Sequence, residues 1–300
     1  MAGWFMNIVV GIATSDRSGM LHQMLDHLRR QELQPDGIVV CGNKVSDIAG
    51  IEAAHPSANL IYADAGSSSQ RNAIIRFAQD ADIIVFFDDD FFPQAEYLRA
   101  IERHMQQHPR TVVATGTVIA DGINGPGLSV SDALGQLAAD RERTGIWRAP
   151  TEGKPEFSGY GCNMAVRMAD IRREQLLFDE ALPLYSWQED VDLSRRLAVF
   201  GDVIKLETAR GVHLGVKSGR GSGMKLGYSQ VANPLYLVAK KRGYPVRRAL
   251  SHIGKNVANN ILRSPWPEPY VDRRGRLRGN LVAVWDLCRG RMSPERILEF

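Results

Sequence analysis

Over its first 120 residues the chain alternates short apolar runs with amphipathic stretches, and that alternation admits few folds. Asn7-IVVGIAT, Gly37-IVVCG, Leu60-IYA, Ile83-IVFF and Thr111-VVATGTVI each have the length and residue types of a strand. Between them Leu21, Met24, Leu25 and Leu28 recur at helical spacing behind Ser18 and Gly19. A second helix carries Ile74, Phe77 and Ala78. A third carries Leu98, Ile101 and Met105, with Pro93 expected in its first turn. Strands separated by helices of this length imply βαβ units and an α/β fold, a mostly parallel central sheet with helices on both faces. Ile83-IVFF is apolar without alternation and is expected at the centre of that sheet.

With 300 residues, 44% of them hydrophobic and 24% charged, the chain can bury one large α/β core and a smaller appendage. The rhythm is lost over 121–157, where Gly122, Gly125, Pro126, Gly127, Pro150, Gly153 and Pro155 surround one weakly amphipathic stretch. It returns at Gly159-YGCNMAV, at a helix beginning near Ser186 and at Asp202-VIKLE. From Tyr228 onward the pattern is of helices, broken by SPWPEP at 264–269. The expected division is therefore 1–225 for the α/β domain and 226–300 for a basic, mainly helical C-terminal region.

Charge follows the same division. Residues 205–300 hold 19 Lys+Arg against 6 Asp+Glu, a balance of +13, whereas residues 1–204 hold 18 against 28, a balance of −10. A basic region of this size implies an anionic partner: a phosphate-bearing ligand, nucleic acid or a membrane surface. No nucleic-acid-binding motif accompanies it. Arg247, Arg248, Lys255 and Arg263 are interleaved with Val246, Leu250, Ile253, Val257, Ile261 and Leu262, and Leu281, Trp266 and Trp285 lie nearby. That composition suits either an amphipathic helix on anionic lipid or a helix packed on its own domain. Cys41, Cys162 and Cys288 are too far apart for a zinc site or a disulfide framework, which points to a reducing compartment. The opening MAGWFMNIVVGIAT lacks a signal-like n-region, and no 18-residue apolar run occurs. The expectation is a cytoplasmic protein, either free or peripheral on the inner face of the cell membrane.

The strand at 83–87 ends in Asp88, Asp89 and Asp90. Ligands of doubly wound sheets bind at the carboxyl ends of strands. Alternation sends Asp88 and Asp90 to one side and Asp89 to the other. Three adjacent like charges against IIVFF and FFP gain nothing from folding, but a hard divalent cation rewards them and bridges carboxylates to phosphates. The rival is a solvated acidic loop, which the apolar flanks disfavour.

An apolar strand ending in DDD, preceded by Gln70-Arg71-Asn72 and followed by Glu189-Asp190 and then His213 in ARGVHLG, resembles the GT-A glycosyltransferases, family 2 in particular. The likeness covers roughly residues 5–240. It implies a nucleotide-diphospho-sugar transferase fold, a metal-dependent, inverting sugar transfer and Mn²⁺ or Mg²⁺ held by Asp88, Asp90 and His213. It also implies Asp190 as the general base on the acceptor hydroxyl. The bland reading of Asp190 is an acid complementing a helix N-terminus. Ser186-Trp-Gln-Glu189 fits a capping box, so Glu189 is left to structure. His213, between Val212 and Leu214, would without the resemblance be read as a core histidine.

The same resemblance places the donor nucleotide over Thr14, Asp16 and Asn43, with Asp89 grouped among the donor contacts. The chain reads CGN where the family has an acidic residue before Asn, which leaves the base open, with UDP expected. Arg71 either reaches the pyrophosphate, braces the base pocket or lies on a helix surface. Lys217, Arg220 and Lys225 in KSGRGSGMKLG make either a mobile basic lid over a departing diphosphate or a plain linker. The segment lacks the strand-to-helix setting and GK[ST] ending of a P-loop. The expected partners are a nucleoside-diphosphate sugar and a saccharide or lipid-linked saccharide acceptor in surface polysaccharide or glycolipid assembly. Rival readings are a nucleotidyltransferase, for which no early glycine-rich phosphate signature is found, and a non-catalytic sugar-binding or membrane-peripheral subunit. A DxDxT phosphatase is disfavoured by Phe91 and Phe92 after Asp90.

Overall fold

The structure, a computed structural model, describes residues 6–145, 153–217 and 222–300. The early apolar runs form β1 (Ile8–Ala13), β2 (Gly37–Gly42), β3 (Ala58–Tyr62) and β4 (Ile83–Asp88). Between them lie α1 (Ser18–Leu28), the short α2 (Ile51–Ala54) and α3 (Ser67–Phe77). β1 pairs in parallel with both β2 and β4, and β2 with β3. Ile8, Val10 and Ile12 pack with Leu21, Met24 and Leu25 of α1 and with Val85 and Phe87 of β4 in the main core. On the other face of β1, Gly11 makes room for α3, where a Cβ would lie 2.7 Å from Ile74 Cγ2. Helices thus cover both faces, which is why β4 is apolar at every interior position.

The chain continues through β5 (Phe91–Pro93), α4 (Tyr97–Gln107), β6 (Thr111–Asp121), α5 (Val130–Thr144), β7 (Gly153–Pro155), β8 (Asn163–Arg167), α6 (Met168–Glu174), α7 (Glu189–Leu197) and β9 (Asp202–His213). Strand order is β3-β2-β1-β4-β8-β6-β9-β5, with β7 also on β9. The sheet is parallel across β3-β2-β1-β4 and mixed beyond, because β8 runs antiparallel to β4 and β6, and β5 and β7 antiparallel to β9. The excursion after β6 ends at the end of the sheet where it began, so β8 enters there and runs back. Within that excursion α5 has its own start signal, a capping box between Ser129 and Asp132.

Pro93 is not in the first turn of a helix as expected. It ends β5, whose three residues pair with β9 at the sheet's edge, where a missing N–H is tolerated, and the helix starts later at Tyr97. That short strand sets the position of His213, because Phe91 is the register partner of His213. The pairing of β6 with β9 carries register shifts between Thr111 and Val113, between Gly116 and Thr117 and between Val118 and Ala120, which bring Asp121 opposite His213.

The chain divides into two compact units. The first consists of the described parts of Met1–Ala65, Ser69–Leu177 and Leu197–Gly219. The second consists of Gly66–Ser68, Phe178–Arg196 and the described parts of Arg220–Phe300. The segment holding Asp190 groups with the C-terminal helices. Those helices are α8 (Gly223–Ala239), α9 (Val246–Arg263) and α10 (Arg273–Cys288). α8 and α10 approach through glycines: a Cβ on Gly227 would sit 2.0 Å from Arg276 O, and one on Gly279 2.1 Å from Met224 O. Tyr228, Val231, Ala232, Ala283 and Ile297 form the small core beside this contact.

Candidate active site

β4 delivers Asp88 at its carboxyl end, and the chain then turns through Asp89 and Asp90 into β5. Leu214 N–H donates to Asp90 O (2.9 Å), and Val216 N–H to Asp90 Oδ2 (2.8 Å), so the backbone after β9 clasps this turn. The register of β5 on β9 then places the His213 imidazole beside the carboxylates. Its Nε2 lies 3.4 Å from Asp90 Oδ1 and 3.9 Å from Asp88 Oδ2. One ligand atom from each of Asp88, Asp90 and His213 lies within 4.8 Å of the others. Two ligands each about 2.1 Å from a small dication lie about 3 Å apart at right angles and about 4.2 Å apart when opposite, so separations of 3.4 and 3.9 Å fall in the range that one such ion spans. Two carboxylate oxygens with an imidazole also form a donor set suited to Mn²⁺ or Mg²⁺.

Asp121, which sequence reasoning missed, completes the arrangement. Its Oδ1 is 2.9 Å from His213 Nδ1 and accepts from the Ile123 N–H (2.9 Å). Its Oδ2 accepts from the Tyr160 hydroxyl (2.9 Å), and the Tyr160 ring meets the His213 ring edge-on with centroids 6.0 Å apart. A carboxylate on Nδ1 fixes the tautomer that leaves Nε2 as the ligand atom. Burial works against charge on His213, but the hydrogen bonds and charges of Asp121 and Asp90 prevail and lift its pKa to about 10. Asp121 and Asp90 are correspondingly held below the usual carboxylate range. Burial pushes both up, and the hydrogen bond and charge of His213 overcome it. Since the ligand form is neutral, a cation must displace this proton.

Asp89 lies in the turn after β4, where strand alternation no longer applies. It is fully buried, accepts from Thr14 Oγ1 (2.6 Å) and pairs with Arg17 Nη2 (3.0 Å). Burial raises its pKa despite Arg17. Arg17 also reaches Asp90 Oδ2 through Nη1 (3.5 Å) and is the second residue that sequence reasoning missed. Arg71 is no surface arginine. It is 3% exposed and donates from Nη2 to Asp88 Oδ1 and Gly161 O, both at 2.9 Å. Arg17 and Arg71 therefore set the orientation of the three adjacent acids.

At the ends of β1 and β2 the loops are tied by buried Asp47, whose carboxylate accepts from the N–H groups of Asp16 (2.8 Å), Asn43 (2.9 Å) and Lys44 (3.1 Å). Asp16 adopts φ 57° and pairs with Lys44 Nζ at 2.5 Å. Gln70 donates to Thr14 O (2.7 Å) and Cys41 O (2.9 Å), holding Thr14 against the sheet. Asn43 Oδ1 is buried without a hydrogen-bond partner among the described residues. Lys217 Nζ donates to Gly122 O (3.1 Å) and Ile123 O (2.8 Å). Arg220 lies outside the described residues.

Asp190 stands in the second unit, half-buried in the first turn of α7, with its Oδ1 accepting from Val191 N–H (2.7 Å). Ser186, expected to open a capping box with Glu189, does not directly precede α7, which begins at Glu189. Ser186 sits at φ 50°, and its hydroxyl accepts from Ser68 N–H (3.2 Å) and donates to Leu184 O (3.1 Å). Leu184 and Gln188 are also left-handed, at φ 59° and 77°. Gln188 Nε2 donates to the Tyr244 hydroxyl (3.1 Å) and lies 2.9 Å from His252 Nδ1. Asn233 Nδ2 donates to Trp187 O (2.7 Å). Three non-glycine residues at positive φ within five positions are held by contacts on both sides, as strained functional segments are.

The sequence profile of glycosyl transferase family 2 matches residues 9–169, more than half of the chain, and the chain belongs to that family. Comparison with curated proteins by sequence gives no significant match. Among solved structures, the mannosyltransferase PcManGT from Pyrobaculum calidifontis, in complex with GDP-Man and Mn²⁺, superposes with a TM-score of 0.57 at 14% identity, covering 94% of this chain and 88% of its own. TarS 1–349 from S. aureus gives 0.51 at 14% identity, with coverage of 95% and 92%. GalNAc-T7 with UDP, GalNAc and Mn²⁺ gives 0.58 at 13% identity, with coverage of 98% and 57%. At these identities the likeness is one of fold, and that fold is the expected GT-A architecture with a helical C-terminal region.

Proposed function

We propose that this family 2 glycosyltransferase transfers a sugar from a UDP-linked donor to an acceptor hydroxyl, with metal dependence and inversion, in surface polysaccharide or glycolipid assembly. The observation that carries the reading is the convergence of Asp88, Asp90 and His213 at the carboxyl end of β4. These three residues would hold Mn²⁺ or Mg²⁺, which when bound supplies positive charge to the diphosphate leaving group. The presence of Mn²⁺ in the complexes of PcManGT and GalNAc-T7 supports that choice.

Thr14, Asp16 and Asn43 line the ends of β1 and β2, where the nucleotide lies in this reading. The buried, unpartnered Asn43 Oδ1 is an acceptor that a base N–H would satisfy, as the imide of uracil can. Lys217 and, by its place in the sequence, Arg220 are assigned to the diphosphate in this reading. Arg71, Arg17 and Asp89 act through the ligands they orient. Asp190 takes the proton of the acceptor hydroxyl as that oxygen bonds to the anomeric carbon. The bond from that carbon to the diphosphate oxygen breaks on the opposite face, so the product configuration is inverted. The acceptor is a saccharide or lipid-linked saccharide, the latter presented at a membrane.

Calorimetry with a panel of nucleoside diphosphates, with and without Mn²⁺, tests the donor half. UDP should bind only with the ion, and Asp90→Asn should lose that binding. Asp190→Asn should bind UDP normally and lose transfer. Absence of nucleotide binding in both conditions would sink the donor reading, and undiminished transfer by Asp190→Asn would remove it as the base.

A further inference from the structure

We propose that the outer face shared by the end of α9, the SPWPEP turn and α10 docks onto an anionic phospholipid bilayer. The distribution of residues there is the reverse of an ordinary solvated surface. Polar groups point inward: Asn260 and Asn280 are 0% and 1% exposed, and Asn260 Nδ2 bonds Gln230 Oε1 (2.8 Å) and Asn280 Oδ1 (2.9 Å). Apolar groups point outward: Trp266 is 87% exposed, Leu262 77% and Leu281 64%, with Ile261 and Trp285 above half. Isolated exposed leucines need no explanation, but this many large apolar side chains on one stretch of surface do.

The end of α9 and α10 meet at this surface, beside Ile261, Leu262 and Trp266 in sequence. Ser264 and Pro265 at the end of α9 and Arg274, Leu277, Arg278 and Leu281 of α10 line a single groove of about 460 Å³. Arg274, Arg278, Leu281, Trp285 and Cys288 follow one another at spacings of three and four, so they form one stripe along α10. Arg274 Nε donates to Ser264 O (3.1 Å), which holds its guanidinium at the groove, and the Arg289 guanidinium lies 4.2 Å from the Trp285 ring centroid.

Charge then selects the occupant. The acids of this stretch are all engaged within the fold. Glu268 pairs with Arg263 and Arg273, Asp272 accepts from Gly275 N–H at the start of α10, and Asp286 is buried against Tyr228 and Arg296. What the face presents outward is therefore arginine between tryptophan and leucine. Guanidinium groups attract phosphate headgroups, the aliphatic side chains enter the acyl boundary, and Trp suits the level between them. A nucleic acid would leave Leu262, Leu281 and Ile261 in water. Among the described residues no helix is long and apolar enough to cross a membrane. Docking would present a lipid-linked acceptor to the enzyme; that consequence rests on the proposed transfer reaction, whereas the docking itself does not.

Co-sedimentation of the full chain with phosphatidylcholine vesicles, with and without phosphatidylglycerol, tests the inference without any activity readout. Binding is expected only to the anionic vesicles and should weaken as salt shortens the screening length. Arg274→Gln with Arg278→Gln should lower the partition coefficient by roughly tenfold or more, and Trp266→Ser with Trp285→Ser by about tenfold. Mn²⁺-dependent nucleotide binding should be unchanged in both. Cys288 is exposed while Cys41 and Cys162 are buried, so an environment-sensitive fluorophore on Cys288 should shift to the blue on docking. No binding to anionic vesicles, or equal binding by the variants, would overturn the proposal. So would a solution dimer dissolved by the tryptophan substitutions, which would assign the face to a second copy of the chain.

Discussion

Replacing Asp121 by Asn isolates the residue that joins β6 to the candidate metal site. The substitution is isosteric and retains an oxygen able to accept from His213 Nδ1–H, with the new amide turned toward the Tyr160 hydroxyl. What it removes is the negative charge 2.9 Å from Nδ1, which raises the basicity of the ligand imidazole and fixes its tautomer. Loss of such a partner typically costs 10–100-fold in metal affinity, about 1.4–2.7 kcal/mol. Asp121 is only partly buried, its side chain 26% exposed, and its loss also eases the deprotonation of His213 that binding requires, so the lower half of that range is expected. Tyr160→Phe removes one hydrogen bond to Oδ2 and leaves the charge in place, and should cost only a few-fold.

The assay is Mn²⁺ titration of the nucleotide-free protein, followed by calorimetry or by the spin-resonance signal of the free ion. Asp90→Asn serves as the reference for a lost ligand, and urea denaturation confirms that each variant folds. Asp121→Asn should bind Mn²⁺ about tenfold more weakly than the parent, with Tyr160→Phe between the two. If Asp121→Asn binds like the parent while Asp90→Asn does not bind, His213 is not a ligand and the argument from its second nitrogen fails. A loss in Tyr160→Phe as large as that in Asp121→Asn would shift the cause from charge to the packing of the tyrosine.

Two further outcomes follow from groups outside the metal triad. Asn43→Ala should weaken UDP binding by roughly fivefold to tenfold in calorimetry, the usual worth of one hydrogen bond to a buried polar group, with the urea midpoint unchanged. Arg210 holds buried Asp140 through Nε (2.7 Å) and Nη2 (2.9 Å), so Arg210→Met should cost about 3 kcal/mol in urea denaturation at neutral pH. The Arg210 hydrogen bond depresses the Asp140 pKa, so the stabilisation is present above the unfolded value of about 3.9 and is lost as pH falls through the lower folded value. The gap between parent and variant should therefore narrow on acidification, and a gap that widens would reverse the assigned sign.

Local signals carried the first half of the fold into view. Four apolar runs and their helices follow from the spacing of Leu21, Met24 and Leu25 and from the unbroken IIVFF, because each element's period depends on its own residues. Asp88 and Asp90 were legible for the same reason, a charge triplet abutting a core strand. Asp121 was not, because it lies 92 residues from His213 and meets it only through three register shifts between β6 and β9. Arg17 reads as a helix-start arginine, and nothing near it in sequence reveals that its guanidinium serves Asp89 and Asp90. Pro93 was misplaced because a three-residue strand has no period to detect, and it exists only because β9 is there to pair with it.

The segment before Asp190 shows the same limit in its sharpest form. Backbone at positive φ is normally announced by Gly or Asn, yet Leu184, Ser186 and Gln188 adopt it without either. Each such residue costs on the order of 1 kcal/mol or more, and the contacts that offset the cost come from Ser67 and Ser68 on one side and from Asn233, Tyr244 and His252 on the other. The local pattern S-x-x-E instead suggested a capping box, a cheaper solution for an isolated helix. Ser186 and Gln188 also have partners more than fifty residues away, in Ser68, Tyr244 and His252, which the local pattern does not contain. The conformation that presents Asp190 is thus a property of the assembled second unit, and no window of sequence around Asp190 contains it.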